Sequence, residues 1–128
     1  MGIEKLHEVT MITELFLNSF KKIVDMEEEL KANVNRLETL KKAKVMGFSD
    51  KYIASVWGVP EAEIYSVRKQ NGIVPVFRMV DTLHTGKYIA YLYSTYLNLL
   101  DDTCKNESRL TDKKKIIVLG AGPIRIGQ

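Results

Sequence analysis

The 128-residue sequence predicts a mainly α-helical fold with a short extended segment, followed by a truncated α/β start. Two observations predict the helices: apolar residues recur at three- and four-residue steps, and residues that cap or stop helices separate these stretches. A third observation predicts the α/β start, because the apolar run Ile116–Leu119 leads into a glycine turn. Hydrophobic residues make up 45% and charged residues 27%, which excludes a disordered chain and a disulfide scaffold.

The first long segment predicts a helix from about Thr13 to Lys31. Thr13 is expected to cap its start with the side-chain hydroxyl, because the first N–H groups of a helix lack partners within it. The apolar residues of this segment recur at spacings that place them on one helix face, and they are Ile12, Phe16, Phe20, Ile23 and Leu30.

A second helix is predicted from about Asn35 to Met46, with Leu37 and Leu40 on its apolar side. Asn35 and the glutamate three residues later form a capping pattern at its start. Gly47 follows as the left-handed stop that commonly ends a helix.

Two short helices follow. Ser49 is expected to cap the first, which runs to about Trp57 and ends at Gly58. Pro60 opens the second, because its missing N–H costs nothing in the first turn, and Asn71-Gly72 closes it.

The next region changes character. Ile73–Val80 is rich in β-branched and aromatic residues and contains Pro75, which predicts an extended or edge segment. A further helix is predicted from about Lys87 to Leu99. Its rings form either an aromatic recognition surface or part of the core, and both interpretations stay open because one helix cannot turn all of them inward: Tyr88, Tyr91, Tyr93 and Tyr96.

The stretch Asp101–Lys114 is polar and predicts a boundary loop. The run Ile116–Leu119 after it predicts a buried parallel strand, although the sequence stops at residue 128 before any helix covers it. Glycines after such a strand let a phosphate approach backbone N–H groups. Gly120, Gly122 and Arg125 are therefore weak candidates for nucleotide binding, but arginine replaces the third glycine of the dinucleotide fingerprint.

The remaining composition excludes several classes of protein. The lone Cys104 allows no internal disulfide, and no spacing joins it to His7 and His84 as a metal site. No nucleophile, base and oxyanion element occur together, so no catalytic residue is predicted. No apolar run approaches the roughly 20 residues that span a bilayer. The net charge of +3 comes from the second half of the chain, where lysines form either a solvated surface or a weak attraction for nucleic acid.

A helix-turn-helix DNA-binding module through residues 49–72 is the alternative hypothesis. It predicts salt-sensitive DNA affinity that is lost when Arg68 and Lys69 are changed. Against it, the carboxylates of Glu61 and Glu63 lie at the end of the second helix that would enter the groove, where they repel phosphates. The small, turn and plug positions of such a motif are occupied by Ala54, Gly58, Ile64 and Val67.

Four separated stretches resemble, in order, the middle of the carbamoyl-phosphate synthase large chain: GFSDKYIA, GVPEAEIYSVRKQNGIVPVFRMVDT, YLYSTY and KKKIIVLGAGPIRIGQ. HEVTMITELFLNSFKKIVDMEEELK is similar to the start of the oligomerisation domain of that family, so the resemblance covers nearly the whole chain. It departs from the family at residues 83–86 and at Ile124. The family-motif positions with an expected structural role are Gly47, Gly58, Pro60, Gly72, Pro75, Asp81, Thr82, Tyr93, Ser94, Thr95 and Tyr96.

The resemblance implies a helical oligomerisation domain at 1–112 and, at 113–128, the first strand and glycine turn of the following synthetase domain. In that family the domain links two ATP-grasp halves of a cytoplasmic ligase that serves arginine and pyrimidine biosynthesis. The parent makes carbamoyl phosphate from bicarbonate, glutamine-derived ammonia and ATP, with Mg²⁺ or Mn²⁺. This chain is expected to be non-catalytic and to bind no cofactor, metal, nucleic acid or membrane. Its expected partners are other large-chain domains, a glutaminase small subunit and further copies of itself.

Overall fold

The computed structural model describes residues 2–81, 86–118 and 120. Within them the chain forms five α-helices, one two-stranded antiparallel sheet and a short 3₁₀ helix, which confirms the mainly α class. In chain order the elements are α1 (Ile3–Thr10), α2 (Glu14–Ala32), α3 (Leu37–Val45), α4 (Asp50–Trp57), α5 (Glu61–Gln70), β1 (Val76–Met79), β2 (Leu92–Thr95) and the 3₁₀ helix (Leu97–Leu99).

The core lies between the C-terminal half of α2 and the helices α3, α4 and α5. Trp57 anchors it, since its indole Nε1 donates a hydrogen bond of 2.9 Å to the carbonyl oxygen of Leu30. This bond ties α4 to α2 inside an apolar cluster. The buried residues of the cluster are Met26, Leu30, Leu40, Ala43, Ile53, Ala54, Trp57, Ile64 and Ile73.

The helix α2 confirms the long helix predicted from Thr13 to Lys31, with Thr13 at the N-cap position. The expected hydroxyl cap is absent, because the Thr13 side chain makes no capping hydrogen bond. The apolar residues of α2 share one side of the helix, but only some of them are buried in the core. Leu30 is fully buried, whereas Phe16 and Phe20 in the first half of the helix are exposed.

The helix α1 was not predicted. It has weak local signals, because Gly2 stands at the N-cap without a side-chain hydrogen bond and the helix is only eight residues long. The chain turns at Met11, which has a φ of 58° and whose N–H bonds the carbonyl oxygen of His7 at 2.8 Å. This turn folds α1 back onto α2 as an antiparallel hairpin.

The capping pattern predicted at Asn35 is wrong. Arg36 is the N-cap of α3 and makes no side-chain cap, while Asn35 has a φ of 59° in the turn between α2 and α3. An asparagine tolerates this left-handed conformation better than most residues, which is what its position requires. The predicted stop at Gly47 is confirmed by a φ of 88°.

The helices α4 and α5 form as predicted. The Ser49 hydroxyl accepts a hydrogen bond of 3.1 Å from the N–H of Tyr52, and Gly58 ends α4 with a φ of 67°. Pro60 is the N-cap of α5, and Asn71 is its C-cap.

We expect Gly58→Ala to lower the free energy of unfolding by about 1–2 kcal/mol, because a Cβ is strained in the left-handed region. Steric clash does not contribute, since a Cβ at this position meets no atom within 4 Å among the described residues beyond its chain neighbours. Urea denaturation measures the change. Gly58→Asn is the matched variant, because asparagine visits this conformation more readily, and it should lose less stability. Equal losses in both variants would contradict the conformational explanation.

The helix predicted from Lys87 to Leu99 is wrong. Residues 92–95 form β2, which pairs antiparallel with β1 in the register Arg78 opposite Tyr93, and a 3₁₀ helix follows. The tyrosines fit helical spacing, but β1 supplies hydrogen-bond partners from distant positions in the chain, and no local pattern reports them. The extended segment predicted at Ile73–Val80 is confirmed by β1.

The polar stretch predicted as a boundary loop contains no helix or strand in residues 101–114, yet part of it packs on the fold. The Phe77 N–H donates to the Asn106 side-chain oxygen at 3.1 Å, and the Glu107 N–H donates to the Phe77 carbonyl oxygen at 2.8 Å. The Met79 N–H donates to the Glu107 carboxylate at 2.6 Å. This segment therefore covers the edge of β1 that faces away from β2.

The strand predicted at residues 116–119 is not formed in the part that the structure describes. Residues 116–118 carry no strand, and their three side chains are strongly exposed. Leu119 lies outside the described residues. A buried strand needs neighbouring strands to satisfy its backbone groups, and none accompanies residues 116–118 in the described ranges.

Candidate association surface

The N-terminal half of α2 lies away from the core and exposes large apolar side chains. Phe16 is 58% and Phe20 57% exposed, whereas Leu17 between them is 8% exposed because it faces α1. Monomeric soluble proteins rarely leave a large contiguous apolar patch in water, so such a patch indicates a contact surface. The exposed apolar residues of α1, the turn and this half of α2 are Val9, Met11, Ile12, Leu15, Phe16, Phe20, Ile23 and Val24.

A groove of about 430 Å³ runs between α1 and α2 beside this surface. Its walls are mostly apolar, and Phe20 and Val24 belong both to the groove and to the exposed face. The remaining lining residues are Gly2, Ile3, Leu6, Leu17, Lys21 and Asp25. The groove and the exposed face are thus continuous, and together they can receive apolar side chains from another chain.

A cluster of buried charges holds α3, α4 and α5 together. Lys44 Nζ lies 2.8 Å from Asp50 Oδ1, and Arg68 Nη2 lies 2.8 Å from Asp50 Oδ2. Lys44 also donates to the Phe48 carbonyl oxygen at 2.7 Å, and Arg68 Nη1 donates to the Ile73 carbonyl oxygen at 3.0 Å. One carboxylate therefore balances two buried cations, each of which also bonds a carbonyl oxygen.

The ring of Tyr96 lies against this cluster. Lys44 Nζ is 5.1 Å and Arg68 Cζ is 5.9 Å from the ring centroid, within the range of cation–π attraction. Burial raises the pKa of the Tyr96 hydroxyl, and the Arg68 charge opposes that rise. Burial also disfavours the charged form of Asp50, but hydrogen bonds and charge from Lys44 and Arg68 outweigh it and lower the pKa of this carboxyl.

The same cluster removes one of the two donors on which the DNA-binding alternative depends. Arg68 is buried and paired with Asp50, so its guanidinium faces the core of the domain. The residues at the start of α5, Glu61 and Glu63, are exposed and repel phosphates. The predicted packing positions Ala54 and Ile64 are buried, and packing two short helices accounts for them.

Of the nucleotide-binding candidates, Gly120 belongs to the described residues. Among the described residues beyond its chain neighbours, none lies within 4 Å of where a Cβ at Gly120 would sit, and Gly122 and Arg125 lie outside the described residues. Among the residues that the structure describes, no three His, Cys, Asp or Glu side chains are placed to hold a metal ion. None of the helices in the described ranges is long and apolar enough to cross a bilayer.

Four of the family-motif residues, Gly47, Gly58, Pro60 and Gly72, lie at turns and helix ends. Gly47, Gly58 and Gly72 all have positive φ, where glycine is least strained. Pro75 comes directly before β1, and Tyr93–Thr95 lie in β2. Asp81 belongs to the described chain, whereas Thr82 and His84 lie outside it.

The apolar face of α2 is the feature that sequence analysis did not recognise as a site. Periodicity placed its residues on one side of the helix but could not show that half of that side lies beyond the core. The signal that could have found it is the length of α2, whose 19 residues extend past the nine-residue α3.

A small helical domain that exposes a long apolar face to solvent is typical of one class of protein, the protein–protein association modules. The family model for the carbamoyl-phosphate synthetase large chain, oligomerisation domain, matches residues 1–72. The chain belongs to this family. The matched range includes α1 to α5, and with them both the exposed face and the buried charge cluster.

Proposed function

We propose that this chain is the structural and oligomerisation domain that links the two ATP-grasp halves of a carbamoyl-phosphate synthase large chain. The observation that carries the proposal is the apolar face of α1 and α2, which a folded body leaves exposed. Association with another protein surface removes such side chains from water, at roughly 25 cal/mol for each Å² buried. The family match supports a second copy as one occupant of the face.

The chemistry of the proposed parent follows from the family rather than from residues of this chain. The parent would form carbamoyl phosphate from bicarbonate, glutamine-derived ammonia and ATP with Mg²⁺ or Mn²⁺, in the cytoplasm, for arginine and pyrimidine biosynthesis. A glutaminase small subunit and the other large-chain domains would be its partners. In this proposal the present chain is non-catalytic, and its task is to set the spacing and association of the catalytic halves.

The domain boundary belongs to the same proposal. Residues 113–128 would be the first strand and turn of the next synthetase domain, and 1–112 the helical domain. The exposure of Ile116, Ile117 and Val118 supports this division, because apolar residues at these positions need strands that the helical body does not provide.

Solution mass tests the proposal. We expect light scattering at several concentrations to find a dimer or a larger species for residues 1–128, with the multimer fraction rising with concentration. Residues 1–112 serve as the control, since removing 113–128 deletes no residue of the core cluster. A multimer of both supports association through the helical body. Monomers of both, or a multimer that depends on 113–128, would contradict it.

A further inference from the structure

The exposed face of α2 contains a row of side chains that is symmetric along the helix. Ile12, Phe16, Phe20 and Val24 follow one another at four-residue steps, with Ile12 just before the N-cap. We call this row the α2 ridge. All four side chains are exposed, and the midpoint of the row lies at the level of Asn18.

Side chains at four-residue steps form a ridge on a helix, and two helices that interdigitate ridges of this kind cross at about −50°. In a two-fold dimer the contacts are reciprocal. If one residue of the first copy contacts a different residue of the second copy, the equivalent residues with the copies exchanged are also in contact. A two-fold axis at the level of Asn18 places Phe16 opposite Phe20 of the second copy. Ile12 and Val24 lie about equally far from this axis along the chain, and both are apolar and exposed.

The side chains of the ridge carry no charge, so burying them in an interface costs little desolvation free energy. Two charged residues near the ridge are paired with each other, since Lys21 Nζ lies 2.6 Å from Asp25 Oδ2. A buried unpaired charge would oppose association, and the four side chains of the ridge contain none.

The groove between α1 and α2 lies beside the ridge and can bind a side chain of a second copy. Phe20 and Val24 line the groove, so Phe16 of a second copy, lying opposite Phe20, stands at its mouth. Aromatic anchors that enter pockets on a partner contribute most of the energy of many interfaces.

We infer that two copies of this chain associate by packing their α1–α2 hairpins face to face, with the α2 ridges crossing at the level of Asn18. The inference rests on the proposed function, because it takes a second copy as the occupant of the face. The family match to an oligomerisation domain and the self-complementary ridge both support that occupant.

Exchanging charges across the predicted contact tests the inference in the full 128-residue chain. Phe16→Lys and Phe20→Glu should each weaken self-association at least tenfold, because each dimer would bury a charge without a partner. Mixed together, they should form a heterodimer. In it the ammonium introduced at position 16 of one chain faces the carboxylate introduced at position 20 of the other, while the second Phe16–Phe20 pair is intact. Sedimentation velocity of each variant and of the mixture measures this.

Two controls accompany the exchange. Phe77→Lys makes the same substitution at a β1 position that is 44% exposed, and it should leave the oligomeric state unchanged. Ile12→Lys mixed with Val24→Glu tests the same axis at a second pair, which covers the case that Phe20→Glu disturbs the α1–α2 groove. Circular dichroism and melting curves establish that each variant is folded.

The outcomes separate the inference from the proposed function. Restored dimers in both mixtures support the ridge contact. Monomeric variants whose mixtures stay monomeric would overturn the predicted register. Variants that self-associate like the unchanged chain would overturn the contact altogether, while leaving the proposed function intact. An unchanged chain that is monomeric at every concentration would overturn the proposed function, and this inference with it.

Discussion

Asp50→Asn is expected to lower the free energy of unfolding by about 3–5 kcal/mol, because it leaves Lys44 and Arg68 buried without a counter-charge. Both cations lie within 2.8 Å of the Asp50 carboxylate. An amide keeps the shape but provides no negative charge for either cation. Urea denaturation at neutral pH, followed by circular dichroism, gives the loss.

The matched control is Asp25→Asn, which removes the same charge from an exposed pair with Lys21. Exposed pairs contribute about 0–1 kcal/mol, so this variant should stay close to the unchanged protein. Similar losses in both variants would show that Asp50 does not act through the buried cations.

The same interaction fixes the direction of a pH dependence. The pKa of Asp50 is lowered in the folded protein, so its contribution to stability is complete above the unfolded pKa of about 4 and is lost as the pH falls through the folded value. The stability difference between the unchanged protein and Asp50→Asn should therefore shrink in acid. A difference that stays constant from neutral pH down to strongly acidic pH would contradict the ionised role of Asp50.

Leu40→Ala is expected to cost about 2–5 kcal/mol, through lost transfer energy and the cavity left in the core. Leu40 is fully buried in the cluster that joins α2, α3 and α4. Thermal and urea unfolding measure the loss.

Leu110→Ala is the control for this change, since Leu110 is 84% exposed and its truncation leaves no cavity. It should alter stability by at most about 0.5 kcal/mol. A small loss at Leu40 would mean that the helices repack around the missing side chain.

Local signals succeeded at both ends of α4, although the caps predicted at Thr13 and Asn35 do not form. Ser49 caps α4 through a hydrogen bond to a residue three positions away, and Gly58 ends that helix through its own φ. Both effects act within a few residues, so the sequence reports them directly. The resemblance stated from separated motifs is confirmed over residues 1–72.

The same reasoning failed where the deciding partner is distant in sequence. The tyrosine-rich stretch from 87 to 99 has helical spacing, yet residues 92–95 pair with β1, so that Tyr93 lies opposite Arg78. Arg68 looked like a late DNA donor, but α4 places the Asp50 carboxylate beside it. Neither partner can be found from the spacing of neighbouring residues.

The sequence by itself determined the helical class, the ends of α4 and α5, and the family, because these depend on short-range backbone geometry and on ordered motifs. Only the tertiary structure decided which apolar residues are buried. Leu30 and Phe16 lie on the same predicted face of one helix, but the core reaches Leu30 and ends before Phe16. Periodicity fixes the direction in which a side chain points, whereas burial depends on how far the neighbouring helices extend along that face.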